Sequence, residues 1–180
     1  MHLSDAMLAS WLSRRLIKRG IEAGLLASVP QVLLPKIEER LLLGRGENAD
    51  IGPRFVERLA RMSGTSVRED TKWIAASAFH FGYATFWGVL YALAWRRWRP
   101  NPMLGGSVLS AVIYALAFPH WGGAVLTKTE PPPQRRPWRR ELILATAAGT
   151  FGLLTAVLYG RPPLRRRRSR ARGEARGYVA

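Results

Sequence analysis

Cysteine is absent from this chain of 180 residues. That excludes disulfide bonds, a thiolate nucleophile and sulfur-ligated metal, and it leaves the compartment open. Acidic residues are scarce: 12 Asp and Glu stand against 28 Lys and Arg, for a formal net charge of +16. Seven of those acids fall in residues 36–72 beside eight bases, the balance of a solvated face rather than of paired catalytic carboxylates. A Walker loop, Gly-x-Gly-x-x-Gly, His-Glu-x-x-His and Gly-x-Ser-x-Gly are all missing. The chain is therefore expected to be non-catalytic, and with three histidines it also lacks a metal-spacing cluster.

What the chain has is apolar blocks set between basic ones, a pattern hidden by its mean hydropathy of −0.06. Residues 73–95 run for 23 positions without a formal charge, and Trp73 and Trp95 mark the ends. At helical rise this is about 34 Å, enough to cross a hydrocarbon layer of about 30 Å, with tryptophan at both interfaces. Met103 to Leu126 is uncharged apart from His120, and Leu142 to Tyr159 forms a run of 18 residues closed by Gly160-Arg161-Pro162-Pro163. A weaker block lies over about 16–35, where only Ala23 through Leu34 is uncharged and Pro30 interrupts. Crossing there requires Lys18 and Arg19 to snorkel to the headgroups. The expected fold is all-α: a polytopic membrane protein built as a four-helix transmembrane bundle, with spans at about 16–35, 73–95, 103–126 and 142–159. Three spans plus a re-entrant or interfacial first helix is the other arrangement left open.

The remaining segments fit around that domain of residues 16–160. Residues 1–15 carry Ser4-Asp5 as a helix cap and Met7, Leu8, Trp11 and Leu12 at helical spacing, which predicts an amphipathic interfacial helix. Lys18, Arg19 and Glu22 crowd the apolar stretch, so it does not read as a signal peptide. Pro53 to Met62 places Phe55, Val56, Leu59 and Met62 on one side and predicts a short surface helix. Pro131-Pro132-Pro133 predicts an extended linker over 127–137. Residues 161–180 form a basic tail.

Positive charge sets orientation in membranes. With four spans, 15 basic residues fall on the side of the termini and the 96–102 turn, and 13 on the other. The short turn and the arginines directly after the last span favour both termini in the cytoplasm. Arg96, Arg97, Trp98 and Arg99, and Arg165, Arg166, Arg167 and Arg168, are the expected contacts for anionic lipid or a partner subunit. Nucleic acid is not expected, because the polybasic run lacks interleaved aromatics for base stacking.

Small residues recur every four positions in each block: Gly20, Gly24 and Ser28; Ala84, Gly88 and Ala92; Ser107, Ala111 and Ala115; Ala148, Gly152 and Ala156. Such rows let helix backbones approach in lipid, either within one bundle or onto other subunits. His80 shares the face of Ala84. An ionisable group inside a span is a candidate site by default, so His80 and His120 are the candidate ligands for haem b, or the pair for proton handling. The plainer expectation is a single histidine bonding a neighbouring carbonyl, with His120 interfacial beside Trp121 and no cofactor. Glu22 is expected to pair locally with Lys18 or Arg19.

The helix from Gly20 to Pro35, the segment His80-Phe-Gly-Tyr83-Ala-Thr-Phe-Trp-Gly88-Val-Leu-Tyr91, and Gly105-Gly106 leading to Tyr114 and Pro119 together resemble the YagU-type family of small bacterial inner-membrane proteins. The resemblance implies a four-helix inner-membrane protein over residues 16–160 and carries no established activity. Family members often place a histidine before a glycine in the final helix. Ala145 to Gly152 contains none, which counts against a paired-histidine role. The functional expectation is an accessory or scaffolding subunit of a larger energy-transducing membrane complex, respiratory or photosynthetic. The alternative is a small haem- or proton-handling membrane protein or transporter that uses His80.

Overall fold

Long helix-compatible runs and the lack of alternating strand patterns leave one class of architecture, and the computed structural model has it. It describes residues 2–43, 51–99 and 101–161, with side chains from residue 14 onward within those ranges, and every regular element among them is helical. The elements are α1 (His2–Leu42), α2 (Ile51–Met62), α3 (Glu69–Trp98), α4 (Pro102–Ala117), α5 (Gly123–Leu126) and α6 (Trp138–Gly160), with a 3-10 turn at Pro133–Arg135.

Three boundaries differ from the sequence expectation. Residues 1–15 and 16–35 do not form separate helices, because α1 runs unbroken for 41 residues through Pro30 and Pro35. Each proline deletes an amide donor and crowds the carbonyl four residues back. Packing of α1 along both α3 and α6 holds the backbone in place despite that. The helix expected over 103–126 stops at Ala117. Pro119 ends it, and the chain folds so sharply onto the end of α4 that a Cβ on Gly122 would sit 2.4 Å from the Ala117 carbonyl oxygen. Residues 127–137 are not an extended linker. They turn through Lys128, at φ 57°, into the 3-10 turn, and bury Thr129, Glu130 and Arg136. The surface helix expected over 53–62 is present as α2. Its Phe55 lies 4.7 Å from Phe79 between ring centroids, while Leu59 and Met62 stay exposed.

Helix ends follow capping chemistry. Acids in the first turn of α3 (Glu69, Asp70) and bases in its last (Arg96, Arg97) suit the helix dipole. Asn101 caps α4 by accepting the Met103 amide at 2.9 Å, with Pro102 in the first turn. Arg19 of α1 donates to the carbonyls of Tyr159 and Arg161, the latter at 2.8 Å, and so satisfies the end of α6.

Two helix pairs touch backbone to backbone. On α1 and α3, a Cβ added to Gly20 would lie 2.5 Å from the Gly88 carbonyl oxygen, and one on Gly24 would lie 2.3 Å from that of Ala84. On α4 and α6, a Cβ on Gly152 would meet the Gly106 carbonyl oxygen at 2.6 Å. Gly20 opposes Gly88 and Ser28 opposes His80, so the first pair is antiparallel. Contact of Gly160 with Pro102, and of Tyr114 with Glu141, makes the second pair antiparallel as well. With α1 also packed along α6, the helices stand in the order α3, α1, α6, α4. The small-residue rows of α1, α3 and α6 are buried as expected, but Ser107, Ala111 and Ala115 of α4 are exposed. α4 instead uses the adjacent row of Gly106 and Ser110, whose hydroxyl donates to the Gly106 carbonyl at 2.8 Å.

Among the described residues α6 is the one helix long and apolar enough, by length and composition, to cross a membrane; α4 is apolar but shorter. The core joins alanines with Trp87, Tyr91, Phe151 and Tyr159.

Gly24→Val places two further carbons against the Ala84 carbonyl, and we expect it to destabilise the protein by about 1–3 kcal/mol, as overpacking does. Gly82→Ala, where a Cβ would meet nothing within 4 Å, should be neutral or stabilise by up to about 1 kcal/mol. Thermal unfolding of both variants in detergent, followed by helical circular dichroism, measures the contrast. Equal effects would sink the close-contact account.

Candidate functional site

The order of the four helices leaves a space. α1 and α6 form a floor, α3 and α4 rise on either side of it, and α2 lies across one end. Between them is a cavity of about 630 Å³, open on one side. This is within the roughly 300–1,000 Å³ range of ligand sites. Its walls are mainly aliphatic, with aromatic side chains gathered on the α2 and α3 side, among them Phe55, Trp73, Phe79, Tyr83 and Trp87. Phe79 stands 6.0 Å from Tyr83, and Tyr83 meets Trp87 edge-on at 5.9 Å.

His80 reaches this cavity from α3. Its Nε2 lies 3.4 Å from the Ser28 carbonyl oxygen. A carbonyl can only accept, so Nε2 carries the proton and Nδ1 is left as an acceptor. One turn further along α1, Gln31 also lines the cavity, and its Oε1 is buried with no hydrogen-bond partner. His120 is elsewhere: it is exposed after α4, its ring 4.3 Å from that of Trp121 and roughly perpendicular to it. The two histidines expected as candidate haem ligands thus occupy different surroundings. His80 makes the single carbonyl contact of the plainer expectation.

Arg96, Arg97, Trp98 and Arg99 are exposed at the end of α3, near the Arg19 end of the bundle. Arg165, Arg166, Arg167 and Arg168 lie outside the described residues. The ion pair expected for Glu22 forms with Lys18 at 3.9 Å, between well-exposed groups where such pairs contribute little.

At the opposite end, the cavity is roofed by a charged network that sequence reasoning missed. Arg140 grips Glu130 through two bonds of 2.6 and 3.2 Å and also lies 3.8 Å from Glu39. Arg54 of α2 approaches Glu130 at 3.8 Å. Arg136, whose side chain is fully buried, binds Glu141 at 3.0 Å and the Pro131 carbonyl at 2.6 Å. It also reaches the Phe118 carbonyl at 2.5 Å, and Tyr114 donates its hydroxyl to Glu141 from α4. The network therefore ties α1, α2, α4 and α6 to the segment 127–137. No fixed spacing announced it: Glu130 is ten residues from Arg140 across a proline-rich turn.

Breaking a buried pair by removing one partner strands a charge and costs about 3–5 kcal/mol. Glu130→Gln and Arg140→Met should each destabilise by about that order, and the double variant by clearly less than their sum, in a denaturant double-mutant cycle. Full additivity would mean that the two groups are not coupled.

No protein-family model, curated protein or solved structure matches the chain.

Proposed function

We propose that this protein is a non-catalytic integral membrane protein in which α1, α3, α4 and α6 cross the bilayer, serving as an accessory or scaffolding subunit of a larger complex in the bacterial inner membrane. One observation carries the reading: the bundle is apolar outside. Leu26 and Ile37 on α1, Ile74, Phe86 and Leu93 on α3, and Met103 and Leu104 on α4 are all at least 49% exposed. Small and amphipathic residues of α1 and α3 point inward instead, as Gly20, Gly24 and Ser28 and as Trp87, Gly88 and Tyr91 do. A soluble monomer rarely exposes apolar patches beyond a few hundred Å². The belt lies between Arg19 at one end and Glu39 with Arg140 at the other, about 30 Å apart at helical rise, which is a bilayer's hydrocarbon thickness, and exposed Glu22 and Lys36 just inside its two edges reach toward the headgroups. Such outward faces suit lipid or the helices of a partner subunit.

Cell fractionation tests this. The chain should pellet with membranes, resist an alkaline wash, leave only with detergent, and travel with other membrane subunits when extracted mildly. A soluble monomer obtained without amphiphile would overturn the membrane reading, and a lone homo-oligomer in mild detergent would overturn the subunit reading. Orientation has its own test, made clean by the absence of native cysteine. With both termini cytoplasmic, Arg68→Cys should react with an impermeant maleimide in intact cells, and Trp98→Cys only after permeabilisation. The reverse pattern would place the termini outside.

A further inference from the structure

The cavity has features that lipid-facing packing does not require. It offers two hydrogen-bond acceptors, the buried Gln31 Oε1 that lacks a partner and the Nδ1 of half-buried His80, left over once Nε2 donates to Ser28. A buried acceptor without a partner costs about 1–3 kcal/mol, so an occupant that donates to it gains binding free energy. The α2 and α3 side of the walls carries rings of Phe, Tyr and Trp, which favour a flat unsaturated body in offset or edge-on contact, and the rest is mainly aliphatic. Of the charges at the rim, Arg140 is engaged with Glu130 and Glu39, Arg54 with Glu130, and Lys36 lies 5.9 Å from the centre of the Trp73 ring, so among the described residues nothing there calls for a charged head. One side stands open between α3 and α4, where an apolar tail can leave toward the apolar exterior.

We propose that this cavity binds an uncharged lipophilic ring compound that carries hydroxyl donors, a tailed hydroquinone, with its hydroxyls on Gln31 and His80 and its ring among Phe79, Tyr83 and Trp87. The acceptors set a preference within one carbon skeleton. The hydroquinone offers two O–H donors, whereas its oxidised quinone offers only acceptors, which the buried Trp87 Nε1 donor can meet but Gln31 and His80 cannot. The proposal is one of binding and stands on the cavity alone. The fractionation and subunit tests above can fail without touching it, and it can fail without touching them.

The experiment titrates the full chain, purified in detergent, with decyl-hydroquinone held reduced, and reads tryptophan fluorescence, since Trp73 and Trp87 line the cavity. Saturable quenching is expected, and it should shrink in Trp87→Phe. The hydroquinone should bind about tenfold more weakly to Gln31→Leu and to His80→Phe, one hydrogen bond being lost in each, and decyl-quinone, which loses both, more weakly than either. If His80→Phe does not fold, as judged by its helical circular dichroism, Gln31→Leu alone decides. Any of four results would overturn the proposal: no saturable quenching, equal affinity for the oxidised and reduced forms, unchanged affinity in Gln31→Leu, or a monoacylglycerol that competes as well as the hydroquinone. A Soret band in the purified chain would overturn it too, by giving the space to haem.

Discussion

Backbone contact between helices at glycine is the constraint on which the rest of this structure depends. In lipid, apolar side chains gain little from turning toward each other, and what holds helices together is dispersion at close range and the weak polar contacts that closeness allows. Gly20 and Gly24 against Ala84 and Gly88, and Gly106 against Gly152, bring two helix pairs closer than any Cβ would permit. The Ser28 carbonyl meets His80 only because α1 and α3 are that near. The cavity follows from the same geometry. Two tight pairs placed side by side along the contact of α1 with α6 leave α3 and α4 apart, and a space opens above the floor between them.

How much of this was legible depends on whether the signal was local. Rows of period four on α1, α3 and α6 could be read directly, since a helix puts residues i and i+4 on one face. On α4 the same rule selected Ser107, Ala111 and Ala115, one position away from the row that packs. Small residues cover two adjacent faces of that helix, and only contact with α6 chooses between them. Helix boundaries failed for a related reason. Pro30 and Pro35 are local signals to stop, overruled by two neighbouring helices, whereas Pro119 and Gly122 did end α4 because the chain had room to fold back. The cavity and its acceptors were half legible. His80 stood out as an ionisable residue within an apolar run, but nothing in the sequence marked Gln31 as a buried acceptor beside it. The ionic roof was not legible at all, because its members come from four helices and a turn.

That roof bears on orientation in a way that counting residues did not. Charge counts of 15 and 13 on the two sides barely separate them. On the fuller-loop side, however, Arg54, Arg136 and Arg140 are engaged with Glu130, Glu141 and Glu39, three cations against three anions, largely out of water. At the other end Arg14, Arg15, Lys18, Arg96, Arg97 and Arg99 lie near a single described acid, Glu22. Arg19 there caps a helix and sits 5.0 Å above the Tyr159 ring. The Glu39 end is not neutral, because Lys36, Arg40, Arg58, Lys128, Arg135 and Arg139 also lie there, while Arg61, Arg68 and Lys72 pair with Glu57, Asp70 and Glu69. Anionic headgroups, attracted within about a Debye length of roughly 10 Å, would therefore meet cations at both ends, with fewer acids among them at the Arg19 end. The roof widens the small difference in the residue counts without making the charge one-sided, and the short 96–102 turn beside its span carries the rest of the argument for orientation.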